Sequence, residues 1–164
     1  MKVLIAYASK YGTVERIAKE LQEKLSVPCD LADLAGNSSP PVDPYDVVLV
    51  GGSIYAGRIR SSASKFCDRH REELQSRQVG IFISCLYGEE RAKQQIEENF
   101  PSWLLGHAFG RYSVGGAVGL SRLNLVDRVI MKRVAKVHSD LDNIEHEEID
   151  RIVSDVEGLE GDSE

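Results

Sequence analysis

A chain of 164 residues with 42% hydrophobic and 28% charged residues is sized for one soluble domain with a substantial core. Its three cysteines, Cys29, Cys67 and Cys85, are widely separated and lack Cys-x-x-Cys spacing, which excludes a disulfide framework, a zinc site and an iron–sulfur cluster. A net charge of −6 excludes a dedicated nucleic-acid binder, and no run approaches the roughly 18 apolar residues of a membrane span.

In chain order, Val3-Leu4-Ile5-Ala6-Tyr7-Ala8 is an apolar run without polar alternation, the pattern of a strand buried on both faces. Met1-Lys2 enters it directly, so the expectation is a chain without a leader peptide, working in a reducing cytoplasm. The loop Ser9–Val14 follows, and Ile17, Ala18, Leu21 and Leu25 predict an amphipathic helix over 14–25. Cys29–Leu34 reads as an edge strand with polar alternation, and 35–44 as a loop. Val47–Val50, ending at Gly51-Gly52, is a second buried strand. The loop Ser53–Arg60 and a helix over Ser61–Glu73 come next. Val79–Ile83 is a third buried strand, followed by the loop Ser84–Gly88 and a helix over Glu89–Asn99. Tyr112–Val118 is expected as the last strand. Two helices, Leu125–Val137 and Glu145–Glu157, complete the domain over 1–157. Residues 140–164 hold eleven acids against Arg151 alone, and 158–164 read as a frayed acidic tail.

Strands alternating with helices imply an α/β fold, a three-layer α/β/α sandwich around a five-stranded parallel sheet of order 2-1-3-4-5. Ligands of such sheets bind beyond the carboxyl ends of the strands, where the strand order reverses. Three loops converge there. In the first, the unpaired amide groups of a helix N-terminus, the hydroxyls of Ser9 and Thr13, and Gly12 suit an anion; turn and N-cap preferences alone also account for these residue types. Missing motifs narrow the ligand. There is neither a G-x-x-x-x-G-K-[ST] nor a G-x-G-x-x-G after the first strand, and no carboxylate at the ends of the first or third strand to hold Mg²⁺. What remains is Tyr55 and Tyr87 in the other two loops, rings able to sandwich a planar group or merely to plug their own loops. Phosphate at one loop and a flat ring at two others describe flavin mononucleotide (FMN). Its candidate contacts are Ser9, Lys10, Tyr11, Gly12, Thr13 and Val14, then Ser53, Ile54, Tyr55, Ala56 and Gly57, then Ser84, Cys85, Leu86, Tyr87 and Gly88.

The stretch from Ala6 to Ala18 resembles the phosphate loop of flavodoxins. Within that superfamily, Gly51-Gly52-Ser53-Ile54-Tyr55-Ala56-Gly57, Gly115-Gly116-Ala117 and Asp127-Arg128-Val129-Ile130-Met131-Lys132 are similar to the menaquinone-dependent protoporphyrinogen IX dehydrogenases. The likeness covers nearly the whole chain and implies the fold and FMN. It departs at Val14, where flavodoxins usually carry threonine, and in the shortness of 89–111, where the dehydrogenases carry a longer insertion.

The expectation is therefore an FMN-dependent redox protein, an oxidoreductase taking electrons from an organic donor to a quinone-type acceptor. The alternatives are a flavodoxin-type one-electron carrier served by partner proteins, and a flavin-free interaction domain. Arg58 is the candidate catalytic residue, a cation that would stabilise reduced anionic flavin; its alternative is a solvated surface arginine. Cys85 reads as a small buried filler rather than a redox thiol. His70, His107, His138 and His146 lack metal-ligand spacing, so no metal is expected. The basic, apolar segment Arg122–Val137, which includes Val134, offers peripheral contact with an anionic membrane; a helix packed on the sheet with its basic face solvated is the favoured reading.

Overall fold

The computed structural model of the chain describes residues 1–133 and 136–161. Val134 and the last three residues of the expected tail therefore lie outside the described residues. Five parallel strands form the central sheet: β1 (Val3–Ala8), β2 (Cys29–Asp33), β3 (Val47–Tyr55), β5 (Gln78–Ser84) and β6 (Gly110–Ser113). Their order is β2-β1-β3-β5-β6, so the doubly wound order expected from the sequence is present. Between β3 and β5 in the chain, β4 (Arg58–Ile59) folds back antiparallel on the end of β3.

Alternation along each strand sorts the core into two layers. Val3, Ile5 and Tyr7 of β1 join Leu49 and Phe82 beneath helix α1 (Thr13–Lys24) and helix α7 (His146–Gly158). Leu4, Ala6 and Ala8 join Val50 and Ile81 on the opposite face, beneath α2 (Ser61–Arg69) and α4 (Glu89–Asn99). Helix α1 buries Val14, Ile17, Ala18 and Leu21, one face at helical spacing. The helix expected over Ser61–Glu73 is divided at His70, with α3 (Arg71–Gln75) following, and a short α5 (Ser102–His107) precedes β6. No helix of the described residues is long and apolar enough to cross a membrane.

The expected last strand, Tyr112–Val118, is two strands. β6 stays in the parallel sheet, whereas β7 (Gly115–Val118) pairs antiparallel with β8 (Leu141–Ile144) in a separate ribbon. The break is at Gly115, whose φ of 68° only glycine adopts readily; a Cβ there would meet the Asn143 carbonyl oxygen at 2.0 Å. Helix α6 (Leu125–Arg133) differs from the helix expected to pack on the sheet. Leu125, Val126 and Val129 are 77, 67 and 44% exposed, because α6 stands beside the mouth of the sheet rather than on either face of it.

Candidate functional site

The carboxyl ends of β1, β3 and β5 open into a cavity of about 650 Å³, within the roughly 300–1,000 Å³ of small-molecule sites. Its walls come from three loops after these strands and from a cover that includes Gly116 and Ala117 on the ribbon and Ile130 and Met131 on α6. Ser9, Lys10, Tyr11, Gly12 and Thr13 line it, as do Ser53, Ile54, Tyr55 and Ala56, and Ser84, Cys85, Leu86 and Tyr87. Four residues singled out in the sequence do not. Val14 is wholly buried in the first turn of α1, because its side chain belongs to the helix face that packs on the sheet. Gly57 and Gly88 stand outside the wall, and Arg58 is exposed on β4, opposite Tyr55 in the hairpin register. The cations that line the cavity are Lys10, Arg16 and Arg122.

The first loop is organised by its own polar groups. Gly12 donates its N–H to Ser9 Oγ at 3.0 Å, and Thr13 Oγ1 donates to the Ala117 carbonyl of the ribbon at 3.1 Å. The first intrahelical bond of α1 runs from Arg16 N–H to the Gly12 carbonyl, so the amides of Thr13, Val14 and Glu15 have no acceptor within the helix. Gly12 has a φ of 88°, and a Cβ built on it would meet nothing within 4 Å. The backbone thus presents amides, a positive helix end and open space together, which suits a phosphate.

The second loop is a tight hairpin rather than an irregular connection. Ala56 and Gly57 both have positive φ, 49° and 78°, as a type I′ turn requires. Alanine in that region is strained, and it sits in the cavity wall. Ser53 also borders the cavity, and its Oγ is buried without a hydrogen-bond partner. In the third loop Tyr87 lines the cavity with the Arg91 guanidinium 5.8 Å from its ring centre. Cys85 is buried, with its sulfur 3.8 Å from Ser113 Oγ.

Hydropathy patterning carries no sign of the polar cluster that ties these walls together. Asp127 of α6 takes Lys10 Nζ on its carboxylate at 2.5 Å and also accepts the Tyr11 hydroxyl there. Its carbonyl accepts the Tyr55 hydroxyl at 2.9 Å. Burial alone would raise the Asp127 pKa, but the bonds from Lys10 and Tyr11 outweigh it and hold the carboxyl below its ordinary range. Burial, and then the neighbouring Asp127, push the Tyr11 and Tyr55 phenols upward. Tyr55 is therefore held by its hydroxyl against α6. The one trace of this in the sequence was the family likeness of the segment Asp127–Lys132, which marked the place without its partners.

The orphaned Ser53 hydroxyl and the open backbone at Gly12 fit a ligand that carries both a phosphate and a hydrogen-bonding ring edge. Comparison with known proteins agrees with that geometry. Residues 4–144 match the flavodoxin domain. The protoporphyrinogen IX dehydrogenase [quinone] of Leishmania major is 26% identical over 145 residues, 83% of this chain and 63% of that one. The protein of the same description from Escherichia coli K12 is 25% identical over 145 residues, 84% of this chain and 80% of its own. Among solved structures, flavodoxin 2 of Bacillus cereus superposes with a TM-score of 0.54 and 23% identity over 70% of this chain and 84% of that one. The FMN complex of a Lactobacillus acidophilus flavoprotein gives 0.53 and 15%, over 68% of this chain and 92% of that one. The rubredoxin oxygen:oxidoreductase of Desulfovibrio gigas gives 0.51 and 19% over 93% of this chain; the chain spans only 36% of its length. FMN is the cofactor of flavodoxin domains, and the match runs from the first strand to the end of the ribbon. This chain belongs to the flavodoxin-domain family.

Proposed function

We propose that the chain binds FMN in this cavity and acts as an oxidoreductase, passing electrons from an organic donor to a quinone-type acceptor. The observation that carries the reading is the pairing of an anion cradle at Gly12 with an unpartnered hydroxyl at Ser53, in one cavity at the carboxyl ends of the parallel strands. Thr13, Val14 and Glu15 amides would hold the phosphate, and Ser53 and the loop Ser84–Tyr87 the ring. Bound FMN supplies the redox chemistry, and the protein supplies position and field.

The enzyme reading is favoured over a one-electron carrier by the walls near the ring. Ser53–Ala56 and Ser84–Tyr87 bring no aspartate or glutamate into the cavity; its acids, Glu15, Asp140 and Asp142, line it from the first turn of α1 and from residues 140–142, where the cations Lys10, Arg16 and Arg122 stand against them. Acids around a flavin penalise its anionic reduced form and suit a low-potential carrier; a cation does the reverse. The relatives named as quinone-linked dehydrogenases support the same direction, at 25–26% identity. The test is direct: record the visible spectrum of the purified chain, add FMN and follow quenching of its fluorescence, then titrate with reductant. Quenching and reduction in a single two-electron step are expected. Two resolved one-electron steps favour the carrier, and a chain that leaves FMN fluorescence untouched refutes both redox readings.

A further inference from the structure

Helix α6 buries one side chain, and it is a carboxylate. Of Leu125–Arg133 only Asp127 is buried, at 5% exposure. A helix that turns leucine and valine outward and a charge inward reverses ordinary packing. Its apolar support is modest: Met131 joins Tyr11 and Leu86 against Val118, Leu123 and Val137, a small cluster separate from the two cores of the sheet. What fastens α6 is polar. Asp127 engages Lys10 and Tyr11 of the first loop and, through its carbonyl, Tyr55 of the hairpin. Lys10 Nζ lies 4.8 Å from the Tyr55 ring centre and 5.4 Å from that of Tyr11, so the cation is flanked by both rings and by the carboxylate. Asn124 Oδ1 accepts the Asp127 N–H at 2.8 Å, which fixes the start of the helix where the carboxylate enters.

Two consequences meet at this one residue. Ile130 and Met131 form part of the cavity wall, so the position of α6 decides whether that side is closed. Lys10, the cation of the first loop, neutralises Asp127 rather than standing free for an incoming phosphate. We propose that Asp127 is a positioning residue, a latch that holds α6 across the cavity and thereby sets the rate at which a phosphate-bearing ligand enters and leaves. For its ligand the proposal rests on the FMN reading; for the latch it rests on the contacts of α6 alone.

The test compares the wild-type chain with Asp127→Asn and, from the other side of the ion pair, Lys10→Gln. Hydrogen exchange of the flavin-free proteins reads the latch, and stopped-flow quenching of FMN fluorescence reads the gate. Both variants are expected to exchange at least tenfold faster in peptides covering α6, with β1 and β3 unchanged. FMN association and dissociation are both expected to accelerate at least threefold, so that Kd moves less than either rate. Unchanged exchange in α6 overturns the latch. Faster exchange in α6 with unchanged FMN rates overturns its control of the ligand. A wild-type chain that does not quench FMN refutes the FMN reading, and the exchange data still decide the latch. Where β1 and β3 also exchange faster, the substitution has damaged the fold. Tyr11→Phe, which removes a single neutral hydroxyl from the Asp127 carboxylate, then carries the comparison, and unchanged α6 exchange in that variant overturns the latch equally.

Discussion

Replacing Ser53 by alanine separates the needs of the empty protein from those of its ligand. The hydroxyl is buried and unpartnered in the cavity wall, and an unsatisfied buried polar group costs about 1–3 kcal/mol. Ser53 as a residue is only half-buried, so the low end of that range applies, and alanine keeps the Cβ that shapes the wall. The flavin-free variant should therefore be more stable by about 1 kcal/mol, or roughly 2–4 °C in Tm for a domain of this size. With FMN the sign reverses. One lost hydrogen bond is worth about 0.5–1.5 kcal/mol, which weakens binding roughly twofold to tenfold. Thermal melts of flavin-free protein and a fluorescence-quenching titration measure the two effects. A variant that melts at or below the wild type refutes the idea that the hydroxyl is orphaned. A raised Tm with unchanged FMN affinity refutes its place in the site.

Three other expectations follow from the packing and the titrating groups. Gly51→Ala places a Cβ 2.0–2.4 Å from ring atoms of its cross-strand neighbour Phe82, which is fully buried on the sheet face under α1 and α7; the urea midpoint should fall by the equivalent of about 1–3 kcal/mol, and an unchanged midpoint would mean that the ring has room to move. Burial pushes the Cys29 and Cys67 thiols up to about 12, so a thiol reagent at pH 8 should label neither in the native protein and both in urea, as mass spectrometry of the labelled peptides would read; native labelling of Cys67 would contradict its burial. The Asp127 carboxyl is held below its ordinary value of 3.8, so its stabilisation is complete above that pH and is lost as pH falls through the lower folded value. The stability gap between wild type and Asp127→Asn, from urea unfolding, should shrink below about pH 3.8, and a gap that persists under acid would mean the ion pair is not its source.

What the sequence disclosed and what it hid divide along the range of the interactions. β1, β3 and β5 were legible because burial on both faces demands continuous apolar runs such as Val47–Val50, and a run of that kind needs no partner to be recognised. Helix α4 was legible to its ends, Glu89 and Asn99. The hairpin at Ala56-Gly57 was read as a loop because its turn puts alanine where asparagine or aspartate would have signalled a type I′ turn. The division of the last strand hung on one left-handed glycine, Gly115, in a run that otherwise reads as continuous strand.

Helix α6 was misread for a deeper reason. Its leucines and valines carry the apolar pattern from which a sheet-packed face is inferred, yet the buried side chain is Asp127, held by partners that include Tyr11, 116 residues away in the chain. Hydropathy scores a residue by its own chemistry, and no such score can place inside a carboxylate that is neutralised only by tertiary partners. The cavity therefore has two kinds of wall. The strand-end loops are fastened to the sheet and its two cores, as local patterning announces. The cover is fastened by a small apolar cluster that takes in Tyr11 and by one carboxylate ion-paired to Lys10, and both of these residues belong to the loop that cradles the anion. A cover tied to the cradle itself senses what the cradle holds, which is why the cofactor's exchange, rather than the fold's stability, is where Asp127 should be felt first.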